Sequence, residues 1–391
     1  MKVLIYSPIP PSRMSSGALM LYQLLSLDKK NEYFCFCVID PLRKIPVEFP
    51  GKNVHIKTMR RPVENAIRLS GGIIGDCMAR VFEKIKHIYI SKIIISQAVM
   101  YGKKNNVDCV WAILQGRTVI LSALTLSEKL KVPLKCQIWD EPDWILKDTN
   151  IDMISFEETV KCYEKTLSQS NSIACASFMM RDKYKKHKIP TFIFLGSLAN
   201  STRSAYKKSK TFYIGFAGQI YAKEEWMCLI KALNSLCWKV DDRDIKIKLI
   251  GKFNKKFILG LPIEALGYKS QEDVLKILSG TDLNYCPYWF DLEHKNISKT
   301  SFPSKLTSYL ACNRPVLVHA PEYSSPVKFF RANKCGFVCN TLNYKKLAQV
   351  ILMISRGQYN QSTLQNQAIA FKKYLTFEYQ KKQMDNFLKL N

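Results

Sequence analysis

The stretch VLIYSPIPPSRMSSGALMLYQLLSL, residues 3–27, reads as strand, loop and helix. Val3–Ser7 is a short apolar run of the kind that forms a parallel strand buried on both faces. The loop that follows, PIPPSRMSSG, is dense in chain breakers. From Gly17 the run ALMLYQLLSL spaces its apolar residues for a helix.

The same alternation continues outward. Further strands are predicted at Tyr33–Ile39, Val54–Thr58, Asp108–Leu114, Leu134–Trp139 and Ser172–Ala176. Helices are predicted over 73–104, Thr118–Lys129 and Phe156–Gln169. Residues 199–211, ANSTRSAYKKSKT, are polar and basic without periodicity and read as a linker. A second set follows, with strands at Phe212–Phe216, Lys246–Ile250, Glu264–Leu266, Leu283–Tyr285, Val316–Val318 and Phe337–Cys339. Helices fall between them, for example Glu225–Leu236, Gln271–Leu278 and Ser304–Ala311. The tail, 365–391, reads as one long helix, expected to pack back toward the first domain. Strands alternating with helices imply βαβ units and parallel sheets. The expected fold is therefore α/β, with two tandem Rossmann-like, doubly wound domains (1–198 and 212–364) facing a cleft. Ligands in such sheets bind beyond the carboxyl ends of the strands.

Charge is the outlying feature of the composition. The chain carries 59 Lys+Arg against 32 Asp+Glu, a net charge of +27. The excess lies in both halves, so no basic tail holds it. Such a surface attracts polyanions: nucleic acid, anionic lipid or phosphorylated substrates. The 13 cysteines show no C-x-x-C spacing, and Cys35 and Cys37 lie in an apolar run. They read as free thiols in a reducing cytosol, with no metal site. Residues 1–9 are too short and too soon interrupted by proline for a signal peptide. No run reaches the roughly 20 apolar residues of a membrane span. The expected location is cytoplasmic, or peripheral at the inner face of the membrane.

Five segments of the second half carry a resemblance: IGFAGQIYAKEEW (214–226), LIGKF (249–253), IEALGYKSQEDVLKIL (263–278), TDLNYCPY (281–288) and SFPSKLTSYLACNRPVLV (301–318). In this order they resemble the nucleotide-sugar-binding domain of GT-B glycosyltransferases, in particular the retaining family 4, or group 1, transferases. Ser16–Gly17 and NSIACASFMM (171–180) extend the likeness into the first half. The resemblance implies transfer of a sugar from a nucleoside-diphosphate donor to a hydroxyl of a glycan or lipid-linked glycan in surface polysaccharide assembly. It also implies retention at the anomeric carbon and no metal or other cofactor. The family's ribose-gripping Glu corresponds to Ser308 here, and its second Glu to Thr300. Its Arg after the glycine is Gln219, and its following Lys matches Lys223 with a one-residue gap.

The expected donor residues are Gly17, Gly218, Lys223, Lys252, Ser304, Lys305 and Ser308. Glycines let backbone N–H groups approach a diphosphate, and a helix N-terminus adds positive potential. Pro303 suits the start of a helix, with Ser301 or Ser304 as its cap. Lys305 then falls in a first turn where the helix dipole disfavours a cation unless an anion is near. In QIWDEPDW (137–144) a carboxylate is expected to orient an acceptor hydroxyl or act as base, Asp140 first and then Glu141 and Asp143. The D-x-D within DDRD (241–244) reads as a solvated turn. His294 reads as a surface histidine near the donor region.

Residues 51–104 carry 11 Lys+Arg and 3 Asp+Glu. With Ile, Met, Phe and Tyr interspersed, they fit a helix lying on an anionic membrane surface. Two other functions stay open on the sequence. One is a basic nucleic-acid-binding protein, although the charge is diffuse and no nucleic-acid motif is present. The other is a sugar-nucleotide epimerase of the same fold.

Overall fold

A computed structural model describes residues 1–14, 16–43, 46–68, 72–202, 209–360 and 362–389. Residues 203–208 of the expected linker and 390–391 of the expected tail helix lie outside the described residues, as do 69–71. The chain divides into two compact units, Met1–Gly196 together with the segment from Gln380, and Ser197–Tyr379.

The first unit is built on seven strands: β1 (Lys2–Ser7), β2 (Glu32–Ile39), β3 (Val54–Arg60), β4 (Cys109–Ile113), β5 (Leu134–Ile138), β6 (Ser172–Cys175) and β7 (Thr191–Ile193). Their order is β3-β2-β1-β4-β5-β6-β7, and every pairing is parallel. Side chains alternate between the two faces of a strand. Leu4 and Tyr6 enter one core with Phe34, Phe36 and Val38, while Val3 and Ile5 enter another with Tyr33, Cys35 and Cys37. Both faces are apolar because helices cover both. Helices 72–104, 117–130 and 153–168 lie over the first core. Helix Ser16–Leu27 and the last turns of the terminal helix, through Met384 and Phe387, lie over the second.

The second unit has β8 (Thr211–Ala217), β9 (Lys239–Val240), β10 (Arg243–Ile250), β11 (Ile263–Gly267), β12 (Leu283–Pro287), β13 (Val316–His319) and β14 (Phe337–Cys339). The order β11-β10-β8-β12-β13-β14 repeats that of the first unit's first six strands. Only β9 is antiparallel, paired to β10. The two acids of DDRD that precede Arg243 and Asp244 in β10 form the hairpin turn between them, with Asp241 paired to Arg356 at 3.0 Å.

Two details differ from the sequence reading. The long helix over 73–104 carries a π turn at Ile90–Ile94, where Ile95 N–H donates to the Ile90 carbonyl. The tail is two helices, Ser362–Tyr374 and Phe377–Lys389. Leu198 breaks it, because its N–H donates to the Leu375 carbonyl and its carbonyl accepts from Phe377 N–H, both at 3.0 Å. Those groups cannot also serve a continuous helix. All 13 cysteines are free, with Cys35 and Cys37 in the core as expected.

Candidate functional site

In the second unit the site grows from the end of β8. The strand runs into Gly218 at φ +101°, a conformation that glycine adopts far more readily than other residues. Its N–H donates to the Ile250 carbonyl at the end of β10 (2.8 Å). A Cβ on Gly251, itself at φ +124°, would sit 3.1 Å from the Gly218 carbonyl oxygen. The two strand ends thus meet backbone to backbone.

Helix Lys305–Ala311 points its first residue at this turn. Lys305 Nζ lies 4.3 Å from the ring centre of Phe216 and 4.6 Å from that of Tyr221. It also lies 3.7 Å from where a Cβ on Gly218 would be. The ammonium is enclosed and has no hydrogen-bond partner. Burial pulls it down to about 8, while the neighbouring Cys286 thiol acts weakly the other way. Near neutral pH it still carries its charge, with three donor positions unused. Tyr309, one helical turn on, fixes the helix to the strand: its hydroxyl accepts the Ala217 N–H at 2.8 Å, in the core. A buried cation without a hydrogen-bond partner is costly unless an anion lies close.

In the first unit Gly17 and Asp140 come together through Trp139. Gly17 is in the first turn of its helix, and a Cβ there would meet Trp139 Cζ3 at 2.7 Å. The next residue, Asp140, follows the end of β5. Its Oδ2 accepts from Gln115 Nε2 at 3.1 Å. Burial pushes the Asp140 carboxyl up to about 6, with the Gln115 bond opposing and the Glu141 charge assisting. Gln115 also lines a cavity of about 350 Å³ over the carboxyl ends of β1 to β4, with Ile39, Arg61, Glu64 and Trp144 among its walls. Glu141 is tied to Lys183 at 2.6 Å, and Asp143 sits in the first turn of helix Pro142–Leu146.

No protein-family model and no curated protein matches the sequence. Solved structures match it along its whole length. HepE from Anabaena, in complex with UDP and glucose, superposes with a TM-score of 0.65 at 11% identity, covering 99% of each chain. Sucrose-phosphate synthase from Thermosynechococcus elongatus gives 0.70 at 11% identity, over 100% of this chain and 98% of that one. WaaG, a glycosyltransferase involved in lipopolysaccharide biosynthesis, gives 0.56 at 10% identity over 100% of both. The fold is GT-B.

Within the GT-B fold, the residues expected from sequence separate into groups. Gly218 and Lys305 are brought together, and Lys252, exposed, follows the Gly251 that packs on Gly218. Lys223 goes elsewhere: it is exposed and lines a groove with Met227, Leu342 and Tyr344. It opens helix Lys223–Ser235, and the helical twist turns it toward the neighbouring helix Tyr344–Ser355. Ser304 precedes Lys305 without capping the helix through its side chain. Ser301 instead ends the preceding helix, its N–H donating to Ile297. The entry is tightened by Leu306 N–H to Pro303 and Thr307 N–H to Ser304. Ser308 Oγ accepts from Gln271 Nε2 at 3.0 Å, and Thr300 Oγ1 turns back to Asn296. Gln219 is exposed beside Gly218.

His294 is not a simple surface residue. Its ring stacks on Trp289 at 4.7 Å and 11°, and its Nδ1 lies 2.6 Å from Asp291. Asp291, Glu293 and His294 hold their ligand atoms within 4.8 Å of one another. Phe216, Tyr221, Tyr309, Trp139 and Gln115 escaped the sequence reading. The first two lie in the quoted IGFAGQIYAK segment, yet nothing in their spacing shows that they face a lysine more than 80 residues away.

Proposed function

We propose that the chain is a nucleotide-sugar-dependent glycosyltransferase. It moves a sugar from a nucleoside-diphosphate donor to a hydroxyl of a glycan or lipid-linked glycan during surface polysaccharide assembly, with retention at the anomeric carbon. One observation carries this reading: Lys305 is a buried, partnerless ammonium held at a glycine turn on the carboxyl edge of a parallel sheet. That edge is where doubly wound folds take phosphorylated ligands. The presence of UDP and glucose in HepE, and the role of WaaG in lipopolysaccharide biosynthesis, support the same assignment.

The donor diphosphate lies against Lys305 and the Gly218 turn, with Lys252 within the adjoining loop and Ser304 and Ser308 on the helix that carries Lys305. As the anomeric C–O bond breaks, negative charge grows on the leaving diphosphate. Lys305 meets it in a low-dielectric setting where fixed charge counts most. In the first unit Asp140 orients the acceptor hydroxyl by accepting its hydrogen bond, and the hydroxyl proton passes to the leaving diphosphate oxygen as the new C–O bond forms. With its carboxyl at about 6, it is largely ionised at neutral pH and able to accept that hydrogen bond.

The test incubates the protein with UDP-, GDP- and dTDP-sugars, with and without a total glycolipid extract. The reading requires nucleoside diphosphate release that depends on the acceptor. Conversion of the sugar nucleotide without acceptor would instead identify an epimerase. Release from no donor would remove the enzyme assignment.

A further inference from the structure

Helix Gly72–Tyr89 runs through the π turn into Ile95–Lys104, giving a rod of about 50 Å at 1.5 Å per residue. One side faces the core through Gly75, Ala79, Glu83, Lys86, Ile90, Ile94, Ala98 and Gly102. At 3.6 residues per turn, the opposite side of the first five turns carries Ile74, Val81, Ile85 and Ile88, flanked by Ile73. Ile73 is 83% exposed and Ile74 70%, and the other three are each more than half exposed. Ile93 and Met100 extend the row beyond the π turn. A helix of a water-soluble domain normally turns polar side chains outward. This one turns a row of apolar side chains outward.

Its charges are one-sided as well. The helix has two acids, Asp76 and Glu83. Asp76 pairs with Arg68 at 2.7 Å, and Glu83 is buried against Lys86 and Arg117. Apart from the exposed Arg68–Asp76 pair, the exposed lysine and arginine positions carry the helix's charge: Lys84, Lys92, Lys103 and Lys104, with Arg80 half-buried. Among the described residues no helix is long and apolar enough to cross a membrane.

We infer that the outward face of helix 72–104 seats the protein on an anionic lipid bilayer, with the isoleucine row in the acyl boundary and the lysines at the headgroups. An apolar stripe with basic flanks and no free acid is the pattern of an interfacial helix. Each lysine near an anionic surface adds attraction that salt screens. The inference stands apart from the transfer reaction, since bilayer binding is read without any sugar donor.

The experiment is co-sedimentation of the whole protein with phosphatidylcholine vesicles, with and without phosphatidylglycerol, at low and high salt. Binding is expected on the phosphatidylglycerol vesicles, weakened by salt. The triple variant V81Q/I85Q/I88Q should lose about tenfold or more of that binding. Its exposed sites and the good helix propensity of glutamine keep the fold, checked by circular dichroism and by an unchanged thermal shift with UDP. The variant K84E/K92E should lose the preference for phosphatidylglycerol. Absence of wild-type binding, or binding that the triple variant leaves intact, overturns the inference. So does a wild-type dimer that V81Q/I85Q/I88Q converts to monomer, because a second copy would then cover this face. An unchanged UDP shift alongside failed vesicle binding would leave the glycosyltransferase reading standing.

Discussion

Replacing Lys305 with Met keeps most of the side-chain volume and removes the charge. The folded protein holds this amine at about 8 against an ordinary 10.5. At roughly 1.4 kcal/mol per pH unit, that depression corresponds to about 3 kcal/mol spent on burying the charge. The rings of Phe216 and Tyr221 return part of it, about 0.5–1 kcal/mol each. Lys305→Met should therefore stabilise the ligand-free protein by about 1–2 kcal/mol, a rise of roughly 3–6 °C in the melting of the second unit. The sign follows from linkage: the folded value lies below the unfolded one, so the wild-type penalty is full below about pH 8. It fades as the amine loses its proton toward 10.5, and the advantage of the variant should fade over the same window. Binding should move the other way. A charge-assisted contact is worth roughly 1.5–3 kcal/mol, so UDP affinity should fall about ten- to a hundredfold. Thermal melts of the ligand-free proteins from pH 7 to 10 and calorimetry with UDP read both effects. A variant that is less stable than wild type and binds UDP equally well would refute the reasoning.

Other substitutions test the remaining parts. Asp140→Asn should cut turnover by roughly 10²–10⁴ and abolish the rise of kcat/KM with pH that the wild type shows through about pH 6; a pH–rate series decides. Gly17→Ala would place a methyl 2.7 Å from Trp139. It should destabilise the first unit by about 1–3 kcal/mol and lower turnover, as melting and a turnover assay would record. Tyr309→Phe strips the Ala217 N–H of its buried acceptor, a loss of about 1–3 kcal/mol. Faster hydrogen exchange at Ala217 and weaker UDP binding are the expected readouts.

The fold was legible because parallel strands covered on both faces must be continuous apolar runs, as in Val3–Tyr6 and Tyr33–Val38. β7 and β9 were not, because three and two residues carry no periodicity of their own. The break in the tail helix depends on Leu198, far away in sequence. At the site, Lys305 was legible from its place after Ser-Phe-Pro-Ser, but its ring cage was not, since Phe216 and Tyr221 reach it only through the fold. The surroundings of Lys223 were not legible either, since it lines a groove with Leu342 and Tyr344, more than 100 residues on. Ser308 could be seen in sequence to stand where the resembled family has Glu, while its bond to Gln271 needed coordinates.

The central claim is that the turn at Gly218 and Lys305 receives the diphosphate of a sugar nucleotide. A thermal-shift screen of UDP, GDP, dTDP and CMP with their common sugars, alongside short single-stranded RNA, tests it most directly. Ligand at about 100 times its dissociation constant adds about 2.7 kcal/mol of stability. The account predicts such a shift with one nucleoside diphosphate, its loss in Lys305→Met, and none with RNA. A shift with RNA alone, or no shift with any nucleotide, would contradict it.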